Sequence, residues 1–256
     1  MSNIKYWYIG GDIHGDWRPI RNWVVNELST DKEESALILL GDVGANYYGD
    51  YRDKNFKKFL NDIGIKIYCI RGNHEMRITD MIDFGNFNYY YDFEINGYVY
   101  KEQGFSNIIY FNDSGGIYNI NNKQVLIIPG AYSIDKYYRL QMGWKWFANE
   151  QLNIQEQIDL INIAKNKKFD YILAHTCPHS WEPYIDDLFM ESIDQSKVDK
   201  TTEDFIDDLL EFYNCNYNHY YFGHFHDDRE IPEVNATMLY KFIIPLGNHL
   251  IEKEKN

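Results

Sequence analysis

The stretch Ile67-Tyr68-Cys69-Ile70-Arg71-Gly72-Asn73-His74-Glu75 decides how the rest of the chain is read. Its first four residues are apolar, partly β-branched or aromatic, and stop abruptly at Arg-Gly, the pattern of a short buried strand. The five that follow place a cation, an amide oxygen, an imidazole and a carboxylate in one tight turn. A hydrophobic core has no use for that set. A site for phosphate and metal does, because Arg pairs with phosphate oxygens while Asn and His ligate metal or move protons. Taken alone, the turn reads equally well as an ordinary polar loop. Recurrence of the strand-then-ligand pattern elsewhere decides between the two.

It recurs upstream. Lys5 to Ile9 reads as a strand, followed by Gly10-Gly11-Asp12-Ile13-His14-Gly15-Asp16. Asp12 and His14 are two apart, so in extended backbone they project on the same side and can grip one ion. The bland alternative is a Gly- and Asp-rich turn. Pro19 then opens a helix carrying Ile20, Trp23, Val24 and Leu28 at helical spacing. Ala36 to Leu40 is an uninterrupted apolar strand leading into Gly41-Asp42-Val43-Gly44-Ala45-Asn46, and Phe56, Phe59, Leu60 and Ile63 mark the next helix. Strand, helix and strand with short connections predict βαβ units and a mostly parallel sheet.

The pattern also recurs downstream. Gln124 to Ile128 is an apolar strand running into Gly130-Ala131-Tyr132-Ser133-Ile134-Asp135, with Arg139 a turn later. Glu150 to Ala164 reads as a helix, and Phe169 to Ala174 as a strand ending in His175. His219 to Phe222 ends at Gly223, and His224 and His226 repeat the two-residue spacing. Met238 to Ile244 reads as a closing strand, residues 180 to 200 as an acidic surface loop, and Thr201 or Thr202 as the cap of a helix carrying Phe205, Ile206 and Leu209. Between the third strand and residue 124 the pattern breaks. Asn86 to Tyr91 and Tyr98 to Tyr100 are aromatic without a period, and glycines recur at 85, 97, 104, 115 and 116. A loop or lid is expected there, with aromatics that pack or stack on a substrate base. A hairpin through Ile108 to Phe111 and Gly116 to Ile120 follows, then a turn at Asn121-Asn122. The expectation is one domain over residues 1 to 256, with a Tyr-rich insert or lid around 79 to 107.

Composition limits what such a site acts on. A net charge of −14 over 256 residues disfavours an extended nucleic-acid groove, which needs Lys and Arg fields, but allows a small phosphorylated substrate beside metal cations. No apolar run reaches the ~18 residues of a membrane span, and the N-terminus lacks an apolar signal core. Three widely spaced cysteines, Cys69, Cys177 and Cys215, read as reduced thiols in a cytoplasmic protein. The 23 tyrosines belong to a composition rich in Tyr, Asn, Ile and Lys.

Asp12, His14, Asp42, Asn73, His175, His224 and His226 thus all lie directly after predicted strands, and with His74 these loops hold five of the eight histidines. Sites in open α/β sheets form at carboxyl ends of strands, where distant loops converge. Seven O and N donors exceed one tetrahedral zinc and suit two metals sharing a carboxylate.

The ordered series Asp-Ile-His, Gly-Asp, Gly-Asn-His-Glu, His and Gly-His-Phe-His, from residue 12 to 226, resembles the calcineurin-like metallophosphoesterase superfamily. Gly11 to Gly15 and Arg71 to Glu75 look most like its phosphoprotein phosphatase branch, and Gly130 to Phe147 like uncharacterised bacterial and phage members. The resemblance implies a β-sandwich flanked by helices, an α/β/β/α four-layer fold with the metal site at the C-terminal ends of strands. It implies two divalent metal ions, manganese first and iron, zinc or cobalt as alternatives. Asp12, His14 and His226 would hold one ion, Asn73, His175 and His224 the other, with Asp42 bridging. A bridging hydroxide would attack phosphorus, His74 would protonate the leaving group, and Arg71 would hold a phosphate oxygen. One departure stands out: where phosphoprotein phosphatases carry Asp-Arg after the bridging Asp, this chain has Ala45 and Asn46, so Asp135 and Arg139 are the candidates to replace them. The function expected is hydrolysis of a small or cyclic nucleotide phosphodiester. The alternatives are a serine/threonine protein phosphatase acting on a phosphoprotein, a small-molecule phosphomonoesterase, and, least favoured because no ligand is missing, an inactive binding module.

Overall fold

A computed structural model describes residues 4–81, 87–190 and 193–250. Its strands are β1 (Tyr6–Gly10), β2 (Ser35–Leu39), β3 (Lys66–Cys69), β4 (Phe87–Asp92), β5 (Gly97–Glu102), β6 (Ile108–Tyr110) and β7 (Gly116–Ile120), then β8 (Lys123–Ile128), β9 (Lys168–Ala174), β10 (Asn216–Phe222), β11 (Arg229–Ile231), β12 (Ala236–Met238) and β13 (Ile243–Pro245). The helices are α1 (Arg18–Asn26), α2 (Lys54–Asp62), α3 (Ile78–Met81), α4 (Lys136–Met142), α5 (Ile154–Ala164) and α6 (Thr201–Asp207).

The strands form two mixed sheets, ordered β13-β1-β2-β3-β6-β5-β4 and β11-β12-β10-β9-β8-β7. In the first, β1, β2, β3 and β6 run parallel; in the second, β8, β9, β10 and β12 do. Alternation along each central strand builds the layers. Leu37 and Leu39 pack with Ile20 and Trp23 of α1 and Leu60 of α2. Their neighbours Ala36, Ile38 and Leu40 pack instead against Val125, Ile127, Leu173 and Tyr221 of the other sheet. Leu126, Ile128, Tyr220 and Phe222 face outward again, onto Leu160 of α5 and Phe205 of α6. Helices, sheet, sheet, helices is the four-layer sandwich. Each fully buried Leu or Ile contributes about 1.5–3 kcal/mol, so the alternation leaves no strand free to slip register.

Four sequence expectations change. Ile108–Tyr110 and Gly116–Ile120 do not pair: β6 joins β3 and β5 in one sheet, and β7 joins β8 in the other. The hairpin lies one element later, closed by Asn121 and Asn122 at φ 51° and 62°, the left-handed pair that a tight hairpin turn requires. The expected lid is, in its described part, α3 and an antiparallel β4–β5 hairpin ending the first sheet; Gly85 and Asn86 lie outside the described residues. Its tyrosines stack on each other, Tyr89 on Tyr98 with centroids 5.0 Å apart, as cross-strand neighbours do. The segment from Met238 to Ile244 contributes to two strands in different sheets, β12 and β13. Finally, α5 starts at Ile154 rather than Glu150, because Asn153 and Glu156 form a capping box that sets the first turn.

Residues 180 to 200, expected as a surface loop, bury Trp181 and Ile185 in their described part. Cys69, Cys177 and Cys215 are free and buried. Among the described residues no helix is long and apolar enough to cross a membrane.

Candidate metal centre and active site

Strands β1, β2, β3, β9 and β10 end on the same side of the sandwich, and the loops that follow them meet there. Asp12 and His14 follow β1, Asp42 follows β2, Asn73 and His74 follow β3, His175 follows β9, and His224 and His226 follow β10. Four of these residues have left-handed backbone: His14 (φ 43°), Asp42 (φ 44°), His224 (φ 70°) and His226 (φ 56°). That conformation costs about 1 kcal/mol or more per non-glycine residue and persists where the surroundings over-determine it. Two glycines make the close packing possible. A Cβ at Gly72 would stand 2.0 Å from Asp42 Oδ1, and one at Gly223 would stand 2.3 Å from Asp12 Oδ1.

The candidate ligands fall into two groups around Asp42. On one side His14 Nε2 lies 2.7 Å from His226 Nε2, and His226 Nε2 lies 3.7 Å from Asp12 Oδ2. On the other, His175 Nε2 lies 2.8 Å from Asn73 Oδ1, and the rings of His175 and His224 are 5.0 Å apart. Asp42 Oδ2 sits between them, 4.0 Å from His14 Nε2 and 3.6 Å from His175 Nε2. All seven residues named from the sequence are therefore brought together, and His175 Nδ1, 3.8 Å from Asp12 Oδ1, links the two groups.

These residues fit a pair of cations. Asp12 and Asp42 are buried side by side, and Asp12 Oδ1 has no hydrogen-bond partner. Burial pushes the Asp12 carboxyl well up. It would raise Asp42 too, but His175 and His74 hold that carboxyl well below its ordinary range. Burial likewise lowers His14 to about 4 and His224 far below the usual imidazole value. Burial would lower His175 as well, but Asp42 and Asp12 raise it to about 9. The buried carboxylates thus draw positive charge onto this histidine while the imidazoles of His14 and His224 stay neutral, a donor set in want of cations. His175 Nδ1 is anchored 2.7 Å from the Leu40 carbonyl, which leaves Nε2 facing Asn73 and Asp42.

His74 stands beside Asp42 and, with His14 and Asp42, completes a further group that could hold an ion. Its backbone N–H donates to Asp42 Oδ1 at 2.9 Å, and its Nδ1 lies 3.7 Å from Asp42 Oδ2. Arg139 Nη2 reaches Nδ1 at 2.7 Å, and Asp135 Oδ1 lies 3.6 Å from Nε2. Asp135 and Arg139, a turn apart at the start of α4, are themselves bonded at 2.7 Å. They stand where Ala45 and Asn46 leave the site without an acid and an arginine.

Arg71 is placed otherwise than expected. Its guanidinium is buried and donates to the carbonyl oxygens of Glu150 (2.6 Å), Gly72 (3.3 Å) and Asp113 (3.3 Å). It lines neither cavity at the metal centre. It ties the β3 loop to two later segments rather than meeting phosphate. A basic residue before Gly-Asn-His suggested phosphate binding; only packing shows where the side chain turns.

Three supporting residues escaped sequence reasoning. Ser133 Oγ accepts from Asn73 Nδ2 at 2.8 Å and donates to Glu150 Oε2 at 2.6 Å, which turns the Asn73 oxygen toward His175. Glu75 Oε1 accepts the amides of Gly44 (2.9 Å) and Ala45 (3.3 Å), clamping the Asp42 loop to the Asn73 loop. Ser133 and Glu150 carry no local signal, since each acts on a residue far away in sequence.

Two cavities open from this centre, and Asp42 and His74 line both. One, of about 240 Å³, runs past His224 and His226 between Tyr132, Ile134, Leu188, Phe189, Val198 and Phe225. The other, of about 400 Å³, runs past His14 between Tyr47, Tyr48, Arg52, Phe56 and Arg139.

Comparison with known proteins agrees with this organisation. The model of the calcineurin-like phosphoesterase family matches residues 8–228. No curated protein matches the chain. Among solved structures, the phosphopantetheinyl hydrolase of Mycobacterium tuberculosis is similar at 11% identity and TM-score 0.47, over 94% of this chain and 89% of that one. A protein from Thermus thermophilus is similar at 11% identity and TM-score 0.42, over 93% and 88%. A protein of unknown function from Aquifex aeolicus follows at 14% identity and TM-score 0.37, over 92% and 89%. Overlaps of that size say nothing about substrate. The family match spans every loop that builds the centre, and on it the chain belongs to the calcineurin-like phosphoesterases, metal-dependent phosphoester hydrolases.

Proposed function

We propose that the protein hydrolyses a small or cyclic nucleotide phosphodiester with two divalent metal ions, manganese first among those the mixed Asp, Asn and His set suits. The observation carrying this reading is the pair of cavities meeting at Asp42 and His74. Phosphorus in an open-chain diester bears two organic groups, one for each cavity. In a cyclic diester both ester oxygens belong to one nucleoside, whose base and sugar divide between the two cavities. A monoester would leave one cavity unfilled.

Asp12, His14 and His226 would hold one cation, Asn73, His175 and His224 the other, with Asp42 serving both, and when bound they would supply Lewis-acid charge to the phosphoryl group and lower the pKa of water. The chain's own residues do the rest. An arginine only donates, so Nδ1 of His74 accepts from Arg139 and the neutral ring carries its proton on Nε2, an assignment made from the hydrogen-bond network. When substrate draws Arg139 away, Nδ1, which faces Asp42, takes a proton from water. The imidazolium so formed passes that proton to the leaving oxygen, returning the ring to its neutral form with the proton on Nε2. Asp135 at Nε2 stabilises that imidazolium, and Arg139, released from Nδ1 by substrate, takes a non-bridging phosphate oxygen.

A second reading has its own support. Arg52 and Arg139 line the same cavity, and two guanidiniums suit the dianion of a phosphomonoester, free or on a phosphoprotein. Hydrolysis of bis- against mono-p-nitrophenyl phosphate with manganese separates them. Faster turnover of the diester is expected; a clear monoester preference would move the assignment to the second reading. The partner proposed is a small phosphorylated molecule, with no extended nucleic acid.

A further inference from the structure

The smaller cavity has rings and aliphatic chains on one side, Phe189 and Phe225 standing with centroids 6.2 Å apart at 47°, and Glu182, Gln195 and Lys200 also line it. At about 240 Å³ it has room for one ring system rather than a drug-sized ligand. Glu203, from α6, is another lining residue. It is only 7% exposed; its Oε1 accepts from Thr176 Oγ1 at 3.1 Å, and its Oε2 has no hydrogen-bond partner. The nearby cation does not serve it, because Lys200 Nζ is engaged by the Glu182 carboxylate and lies 3.3 Å from His179 Nε2. Burial pushes the Glu203 carboxyl up to about 7. A helix needing only packing at this position would carry Leu or Met. Glu203 lines a recess that opens onto the phosphate centre, and its buried carboxylate, with one oxygen unpartnered, is a group in want of a donor.

We propose that this recess is the specificity pocket, and that it takes the organic part of the ester as a flat aromatic ring donating an N–H to the Glu203 carboxylate, which turns toward the ring as it binds, the pattern of an amino-bearing nucleobase. The proposal rests on the phosphodiesterase reading for the rest of the substrate, but recognition of the ring does not depend on hydrolysis. A ring laid against the Phe189–Phe225 pair binds through stacking, and a donor missing from the ligand leaves the carboxylate as unsatisfied as in the empty site.

The test uses calorimetry on the manganese-loaded protein with two free nucleosides, adenosine and purine riboside, which differ by the amino group and carry no phosphate to cleave. Adenosine should bind at least tenfold more tightly. Glu203→Gln, whose amide meets the amino group donor to donor when it keeps its bond to Thr176, should erase that preference without lowering the melting temperature. Phe189→Ala should weaken adenosine tenfold or more, a readout that remains if Glu203→Gln fails to fold. No adenosine binding, equal binding of the two nucleosides, or a Glu203→Gln protein that melts lower yet keeps the preference would each overturn the proposal. A protein that discriminates the nucleosides but cleaves no phosphodiester would retain the pocket and reject only the hydrolytic reading.

Discussion

Arg139 Nη2 lies 2.7 Å from His74 Nδ1, although 65 residues separate them. With Asp135 Oδ1 at 3.6 Å from Nε2, both ring nitrogens of His74 face a side chain from one short helix and its cap. The Asp42 loop itself carries Ala45 and Asn46, and the acid and the arginine next to His74 come from another loop. Asp135 Oδ1 has no hydrogen-bond partner, so a small inward movement completes the Asp–His pair.

Turnover should depend on this trio without metal content following it. His74→Ala, Asp135→Asn and Arg139→Ala are each expected to lower kcat by roughly 10²–10⁴-fold, the range for losing a positioned proton donor or charge stabiliser. Elemental analysis should find near-normal metal in all three. Metal loss in His74→Ala as complete as in Asp42→Ala would make His74 a ligand instead.

Arg71 tests the opposite separation. Its guanidinium bonds three carbonyl oxygens inside the protein, so Arg71→Met should cost about 2–4 kcal/mol in urea unfolding by leaving buried acceptors unpaired. KM for the substrate should stay within about twofold, since the side chain lines neither cavity. A rise in KM of tenfold or more with unchanged stability would restore a phosphate-binding role.

Ser133→Ala removes the acceptor that orients the Asn73 amide. Partners of metal ligands typically contribute 10- to 100-fold in affinity. Manganese competition against a chelating dye should show a loss of that size, with the fold intact by circular dichroism. Unchanged affinity would mean that Asn73 keeps its orientation without the serine.

Glu203 makes stability depend on pH in a definite direction. Folded, burial holds its carboxyl up at about 7 against an ordinary 4.5. The folded state keeps a proton that the unfolded chain releases, so this contribution is fully present below pH 4.5 and is lost as pH rises through 7. The interval corresponds to roughly 3 kcal/mol. Urea midpoints should therefore fall more steeply between about pH 5 and 8 for the wild type than for Glu203→Gln. Parallel curves would show that the carboxylate finds a partner.

Chelation should destabilise as well as inactivate. Without cations, Asp12 and Asp42 remain buried together, and Asp12 Oδ1 remains unpaired. Cations binding only the folded chain at about 100 times Kd add about 2.7 kcal/mol. A melting temperature unaffected by chelator and by added manganese would contradict the ligand set.

The candidate ligands were legible before the fold because each stands a few residues past an apolar run, and a parallel strand delivers whatever follows it to one end of the sheet. Asp12, His14, Asp42, Asn73, His175, His224 and His226 needed only that rule. The strand pairings were less legible. Ile108–Tyr110 and Gly116–Ile120 look like a hairpin locally, yet they join different sheets, since pairing is settled by the inter-sheet core they share with Trp7, Tyr68 and Tyr221.

What the sequence alone determined was the kind of chemistry and the residues that converge on one centre, because spacing within a loop and position after a strand are local properties. Only the tertiary structure decided which arginine faces that centre. Arg71 and Arg139 are equally charged, and long flexible side chains go where buried carbonyls, a carboxylate and an imidazole draw them. The recess around Glu203 was likewise invisible in the chain. Its walls come from segments far apart in sequence, and an unpaired oxygen can be recognised only once everything that could have paired with it has been placed.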